Sequence, residues 1–114
     1  MTDSYRDEYL DEHPGRAEID AASGPMVLEF GNDWCGHCQA AQPLIAEAFA
    51  GHADATHLKL ADAREKRLGR SFGVKLWPTL IFLRDGREMT RVVRPRSAGE
   101  VADALALITA PPPG

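Results

Sequence analysis

The chain is short of cysteine, of long apolar runs and of positive charge. It has only two cysteines in 114 residues, whereas a secreted domain of this size that depends on disulfides usually carries more. Its apolar runs fall well short of the roughly 20 residues that a membrane-spanning helix needs. The polar, acidic start lacks the basic and apolar segments of a secretory signal. We therefore expect a cytoplasmic protein with no membrane partner.

The formal net charge of −4 argues against a nucleic-acid partner, because such proteins normally show a basic surplus. The 44% hydrophobic content is enough to bury one core without a metal or many disulfides. No phosphate-binding glycine loop is recognisable, so no bound cofactor is expected. The sequence divides into an acidic N-terminal arm (1–15), one domain (16–110) and a proline-rich tail (111–114). We expect this domain to be a monomer.

Hydrophobic periodicity and turn residues predict an α/β domain. The predicted order is a helix at 16–22, a strand at 26–30, a helix at 35–50 with Gly51 as its stop, a strand at 56–60, a helix at 64–72, a strand at 79–83, a strand at 88–93 and a last helix. Asp85-Gly86 is a hairpin signal, and Ser97 with Glu100 forms a capping box. Strand–helix–strand units imply parallel pairing and the hairpin antiparallel pairing. The sheet is therefore mixed, with helices on both faces.

The sharpest feature is the motif Trp34-Cys35-Gly36-His37-Cys38, which follows a strand and opens a helix. Cysteines three residues apart on a helix share one face, at a separation that a disulfide can bridge. The first cysteine also lies at the helix N-terminus, where free N–H groups and the dipole stabilise a thiolate. Cys35 is therefore the expected attacking thiol, and Cys38, one turn further on, the resolving thiol.

Three other interpretations of the two cysteines stay open on the motif alone. They could be ordinary core residues, although the adjacent Trp, Gly and His disfavour this. They could form half of a zinc site, although the chain has no second cysteine pair and the other histidines show no ligand spacing. They could also be a vestigial motif in a binding module.

Over roughly residues 16–110 the chain resembles the thioredoxin family. The cysteine motif lies in the family's position after Val27-Leu28-Glu29-Phe30, and Pro43 matches the proline that kinks the active-site helix. The segment from Phe72 to Leu80 matches the family segment that leads into its cis-proline. The resemblance implies a thioredoxin fold, with a central mixed sheet of four to five strands flanked by helices on both faces. The family's opening strand is weak here, with Tyr5–Leu10 its best candidate.

The resemblance also implies roles for residues around the motif. Trp34, Gly36, Trp77 and Pro78 would form the substrate surface, with a cis bond before Pro78 and the backbone of Trp77 offered to an extended client segment. Glu29 matches a buried acid that takes and returns the proton of Cys38 through water. Lys59 matches the buried lysine that pairs with that acid, and a charged His37 would favour the Cys35 thiolate.

These residues predict a thiol–disulfide oxidoreductase, most simply a reductase, that exchanges its dithiol with disulfides of client proteins. A thiol reductase or glutathione would return the electrons. A redox sensor and a chaperone-like interaction module are the alternatives. Three positions depart from the family pattern, namely Gly31 for an aromatic residue, Arg94-Pro95 for a loop glycine and Leu76 for a small residue. They lie where partners dock, so recognition by an ordinary thioredoxin reductase is in question.

Overall fold

A computed structural model describes residues 5–50 and 54–109 of the chain. The elements are α1 (Arg16–Asp20), β1 (Pro25–Gly31), α2 (Gly36–Phe49), β2 (Thr56–Ala61), α3 (Arg67–Ser71), β3 (Thr79–Arg84), β4 (Arg87–Val93) and α4 (Ala98–Thr109). Within the described ranges, no helix is both long and apolar enough to cross a membrane. The predicted helix stop at Gly51 and the tail at 111–114 lie outside the described residues.

The four strands form one mixed sheet in the order β2-β1-β3-β4. β1 runs parallel to β2 and antiparallel to β3, and β3 forms a hairpin with β4. Asp85 and Gly86 connect the hairpin with φ angles of 52° and 79°, the left-handed conformation that the Asp-Gly pair favours in such turns. The predicted mixed sheet with flanking helices is thus the fold of this chain.

Alternation along the strands sends side chains to two separate cores. Leu28 and Phe30 of β1 face a core with residues of α1 and α3, whereas Val27 faces a core with residues of α2 and α4. Glu29 and Gly31 share the side of Val27, because successive side chains in a strand point to opposite faces. The sheet therefore presents a carboxylate and an empty Cβ position to the helix that carries the cysteines.

Local sequence signals mark several element ends. The Ser97 hydroxyl accepts the Glu100 N–H at 3.3 Å, and the Glu100 carboxylate accepts the Ser97 N–H at 3.2 Å, as the capping box predicts. The basic helix α3 is shorter than predicted and begins at Arg67, because a turn in which Lys66 N–H donates to Ala63 O precedes it.

The described part of the N-terminal arm, from residue 5 onward, meets the outer edge of β2 at Leu10. Leu10 makes an isolated parallel bridge with Leu60, in which Leu10 N–H donates to Lys59 O at 2.8 Å and Ala61 N–H donates to Leu10 O at 2.9 Å. The weak opening strand expected at Tyr5–Leu10 is thus reduced to this single bridge.

Candidate active site

Cys35 caps the N-terminus of α2. It has extended φ and ψ angles of −84° and 121°, and its Sγ accepts the backbone N–H of Cys38 at 3.3 Å. Both cysteines are free thiols, with Cys35 partly exposed and Cys38 only 1% exposed. A sulfur that accepts a helix N-terminal N–H is stabilised as an anion by that N–H and by the dipole. The two sulfurs therefore differ: that of Cys35 is accessible and accepts a helix N–H, whereas that of Cys38 is buried.

The environment of Cys38 disfavours its ionised form. Burial, together with its hydrogen bond to Cys35, raises the pKa of Cys38 to about 12. The backbone of Asn32 and the hydroxyl of Tyr9 act in the opposite direction. Cys38 is therefore a protonated thiol near neutral pH and must lose its proton before it can act as a nucleophile.

Gly31 makes room for the sulfur of Cys38. A Cβ atom at position 31 would lie 2.7 Å from Cys38 Sγ and 3.1 Å from the Tyr9 hydroxyl oxygen. Real Cβ atoms do not approach other atoms as closely as the first of these distances, so a side chain here would displace the thiol. The departure from the family pattern at Gly31 thus has a steric reason in this chain.

Glu29 is fully buried beneath the cysteine helix, but its partners differ from those expected. Its Oε1 lies 2.9 Å from His57 Nε2, and its Oε2 accepts Gln42 Nε2 at 2.9 Å. Lys59 is buried beside it in the register of β1 and β2, yet its Nζ donates to Gln42 Oε1 at 2.6 Å and to Asp7 O at 3.2 Å. The expected Glu29–Lys59 pair is corrected to a connection in which the Gln42 amide lies between the two groups.

The hydrogen bonds of His57 fix its tautomer. Its Nδ1 accepts the backbone N–H of Arg6 at 2.8 Å, so the ring proton resides on Nε2 and is donated to Glu29. The ring is 2% exposed and stacks on Phe49 at a centroid distance of 4.5 Å. Gln42, which itself lies on α2, joins this network to the residue of the second cysteine, because its Nε2 also donates to Cys38 O one turn earlier at 3.0 Å.

The segment before β3 forms the second wall of the site. The Trp77–Pro78 peptide bond is cis, and the Trp77 ring meets the 70% exposed Trp34 ring edge-on at a centroid distance of 5.6 Å. Trp77 Nε1 donates to the Asp62 carboxylate at 2.9 Å, and Arg70 donates to the same oxygen at 2.8 Å. The buried Asp62 thus anchors the indole that lies against the motif.

A groove of about 560 Å³ runs beside the motif. His37, Leu44 and Leu76 line it, together with Arg94. The Arg94 side chain also donates to Trp77 O at 2.8 Å, so it occupies the carbonyl that the resemblance assigns to client docking. Gly36 begins α2, and apart from its chain neighbours and its own helix backbone no atom lies within 4 Å of its missing Cβ, so the space beside this residue is open.

Four residues of this site are absent from the sequence prediction, namely Tyr9, Gln42, His57 and Asp62. Three of them carry a detectable signal. Gln42 lies four residues after Cys38 on one helix, His57 alternates with Lys59, and Asp62 follows β2 at the edge where the motif follows the parallel β1. Tyr9 carries no such signal, because its place depends on the path of the arm.

Comparison with known proteins agrees with this geometry. The sequence model of the thioredoxin family matches residues 10–106. The structure of thioredoxin 2 from Pseudomonas aeruginosa PAO1 in its reduced form superposes with a TM-score of 0.82 and 55% identity, over 91% of this chain and 96% of that one.

Two of the sequence relatives are a thioredoxin and a protein disulfide-isomerase. Thioredoxin from Chlamydia muridarum is 38% identical over 72 residues, which are 63% of this chain and 71% of that protein. Protein disulfide-isomerase from Gallus gallus is 39% identical over 89 residues, which are 75% of this chain but only 17% of that protein. These relatives indicate a thiol–disulfide oxidoreductase. With a motif at a helix N-terminus, a cis-proline opposite it and a family match over most of its length, the chain belongs to the thioredoxin family.

Proposed function

We propose that this protein is a dithiol reductase of protein disulfides, with Cys35 as the nucleophile and Cys38 as the resolving thiol. The observation that carries the proposal is the contrast between the two sulfurs. One caps a helix and is accessible, and the other is buried and protonated. Such a pair can form a mixed disulfide with a partner through Cys35 and then an internal disulfide between Cys35 and Cys38.

The first step is attack of the Cys35 thiolate on one sulfur of a client disulfide. A bond forms between Cys35 Sγ and that sulfur, the client S–S bond breaks, and the second client sulfur leaves as a thiolate that takes a proton from solvent. Trp34, Gly36, Trp77 and Pro78 form the surface on which the client segment lies. His37, exposed at the rim, would as a cation further stabilise the Cys35 thiolate.

The second step is attack of Cys38 on Cys35. Cys38 gives up its proton, its sulfur bonds to Cys35 Sγ, and the first client sulfur leaves as a thiolate, so that the client is reduced by two electrons and the protein oxidised by two. Glu29 supports this proton transfer through water, held by His57 and Gln42. Lys59, hydrogen-bonded to the same Gln42, keeps a positive charge near the carboxylate. Both residues act behind the sulfurs and do not contact the client.

The partners that this cycle requires are a client protein with a disulfide and an electron donor, either a thiol reductase or glutathione. In this proposal the protein works as a cytoplasmic monomer and needs no bound cofactor or metal. Arg94 and Leu76 alter the groove beside the motif, so the donor is expected to differ from an ordinary thioredoxin reductase.

A redox titration against glutathione mixtures, followed by Trp34 fluorescence and thiol alkylation, tests the direction of the reaction. A potential near about −270 mV supports a reductase, whereas one near about −180 mV supports an oxidant or isomerase and would overturn this proposal. Disulfide reduction in insulin by dithiothreitol should depend on the protein and vanish in Cys35→Ser. Client handling that survives in Cys35→Ser would instead indicate a chaperone-like module.

A further inference from the structure

The Tyr9 hydroxyl is a buried donor that has no hydrogen-bond partner within the described part of the chain. Leaving a buried hydroxyl unsatisfied costs free energy, so such a group calls for an explanation. The nearest reacting atom, Cys38 Sγ, offers an explanation for the unsatisfied hydroxyl. The hydroxyl oxygen and Cys38 Sγ converge on the empty Cβ position of Gly31, at 3.1 Å and 2.7 Å from it.

A cation–π contact and the pairing of the next residue hold the Tyr9 side chain at this place. The Lys59 ammonium lies 4.4 Å from the centre of the Tyr9 ring, which places a cation on its face. The next residue, Leu10, is bonded to the edge of β2 at Lys59 and Ala61. The hydroxyl stays protonated, because burial and the negative charge of Glu29 raise the pKa of Tyr9 well above its usual range.

We propose that Tyr9 is a hydrogen-bond donor to the Cys38 thiolate, and that the N-terminal arm thereby takes part in the second half of the exchange reaction. In the resting dithiol the hydroxyl lies near Cys38 without a hydrogen bond of normal geometry, because the acceptor it suits is the thiolate charge that exists only during the reaction. A donor already placed for a transient charge stabilises it without reorganisation. This proposal rests on the assignment of Cys38 as the resolving thiol.

The step is the one in which Cys38 attacks the mixed disulfide on Cys35. As the Cys38 proton passes through water to the Glu29 carboxylate, the Tyr9 O–H turns to the sulfur and keeps its own proton. The new S–S bond forms between Cys38 and Cys35, and the client sulfur departs with the electron pair of the broken bond. In the reverse direction Cys38 is the leaving group, and the same hydroxyl stabilises it.

The test is Tyr9→Phe, which keeps the ring and its contact with Lys59 but removes the hydroxyl. Reduced protein reacts with dithiobis(nitrobenzoate), an aromatic disulfide that releases a coloured thiolate twice. The first release reports attack by Cys35 and the second reports attack by Cys38. The second phase should slow about ten- to a hundredfold, the effect of losing a hydrogen bond to a charged group. The first phase is the internal control and should be unchanged.

The pH profile separates this role from a structural one. The titratable groups around the pair are Cys35 at the start of α2, Glu29 on β1 and Lys59 on β2, and all three are retained in the variant. Contact with the Tyr9 hydroxyl opposes the rise that burial causes in the pKa of Cys38. The second phase of Tyr9→Phe should therefore reach half of its maximum at higher pH than in wild type.

Two results would overturn the proposal. One is a second phase with wild-type rate and pH profile in a folded Tyr9→Phe variant. The other is equal slowing of both phases, which would show a general disturbance of the site. If wild type itself lacked the first phase, the proposed role of Cys35 would fail instead, and the two failures are thus distinguishable.

A second measurement keeps the native tyrosine. In Cys35→Ser protein, isotope-labelled at the tyrosine ring carbon that bears the hydroxyl, ionisation of Cys38 should move the Tyr9 resonance. A Tyr9 resonance that does not respond while Cys38 titrates would also contradict the proposal.

Discussion

Replacement of His57 by Phe tests the buried network beneath the cysteine helix. Phe retains the stacking on Phe49 and the apolar bulk, but it removes the Nε2–H that Glu29 accepts at 2.9 Å. A hydrogen bond to a charged group contributes about 1.5–3 kcal/mol. The Arg6 N–H also loses its acceptor, but Arg6 is an exposed residue, so water can replace the imidazole as the acceptor. We therefore expect a loss of about 2–3 kcal/mol in the free energy of unfolding.

Such a loss is a large share of the roughly 5–15 kcal/mol that stabilises a domain of this kind. The assay is urea unfolding of the reduced protein, followed by fluorescence, for wild type, His57→Phe, Glu29→Leu and the double variant. The double variant should be no less stable than His57→Phe alone, because replacing both partners by apolar groups removes the unpaired carboxylate. A coupling free energy of about 1.5–3 kcal/mol between the two positions is the expected result.

The exposed His37 offers a matched control, since His37→Phe makes the same chemical change at the surface. It should alter the free energy of unfolding by less than about 0.5 kcal/mol. If His57→Phe were as mild as this control, or if the two substitutions in the cycle were additive, the hydrogen bond to Glu29 would contribute nothing measurable and the reasoning would be refuted.

Three further outcomes are expected. Because burial raises the pKa of Cys38 from 9.0 to about 12 in the folded protein, unfolding releases its proton at alkaline pH. The free energy of unfolding of the reduced protein should therefore fall from about pH 9 towards pH 12, more steeply than in Cys38→Ser; equal slopes in urea titrations would contradict the shift. His37→Pro should make the dithiol more reducing in glutathione titrations, and an unchanged potential would show that His37 has no influence. Arg94→Ala should lower KM for a peptide disulfide by about two- to tenfold at constant kcat, because it frees the Trp77 carbonyl; a higher KM would mean that the guanidinium itself binds the client.

Local patterns were sufficient for much of the architecture. The apolar run Thr79–Leu83, the Asp85-Gly86 turn and the Ser97–Glu100 box each specify a backbone conformation through residues adjacent in sequence. The spacing of Cys35 and Cys38 on one helix likewise places both sulfurs on one face. For these features, the physical cause lies within a few residues of the effect.

The network around Glu29 could not be predicted in the same way. Its choice between His57 and Lys59 depends on where the Gln42 amide lies, and that is set by packing of α2 on the sheet. The position of Tyr9 depends on an arm that has neither helical nor strand periodicity. Residues far away in sequence hold this arm, such as His57, which is 51 residues from Arg6. Long-range side-chain geometry of this kind leaves no periodic trace in the sequence.

The single bridge at Leu10 has a consequence for the local stability of the protein. Two backbone–backbone hydrogen bonds join the arm to β2 at this point, and side-chain contacts of Arg6, Asp7 and Tyr9 add to them. These are fewer than the hydrogen bonds within the sheet, so the arm is expected to open more readily than the sheet as a whole. Each opening exposes the edge of β2 and also withdraws the neighbouring Tyr9 from the cysteines. Cover of the β2 edge and the proposed contact of Tyr9 with the resolving thiol are thus expected to be lost in one fluctuation, which amide hydrogen exchange at Leu10 and Ala61 would report.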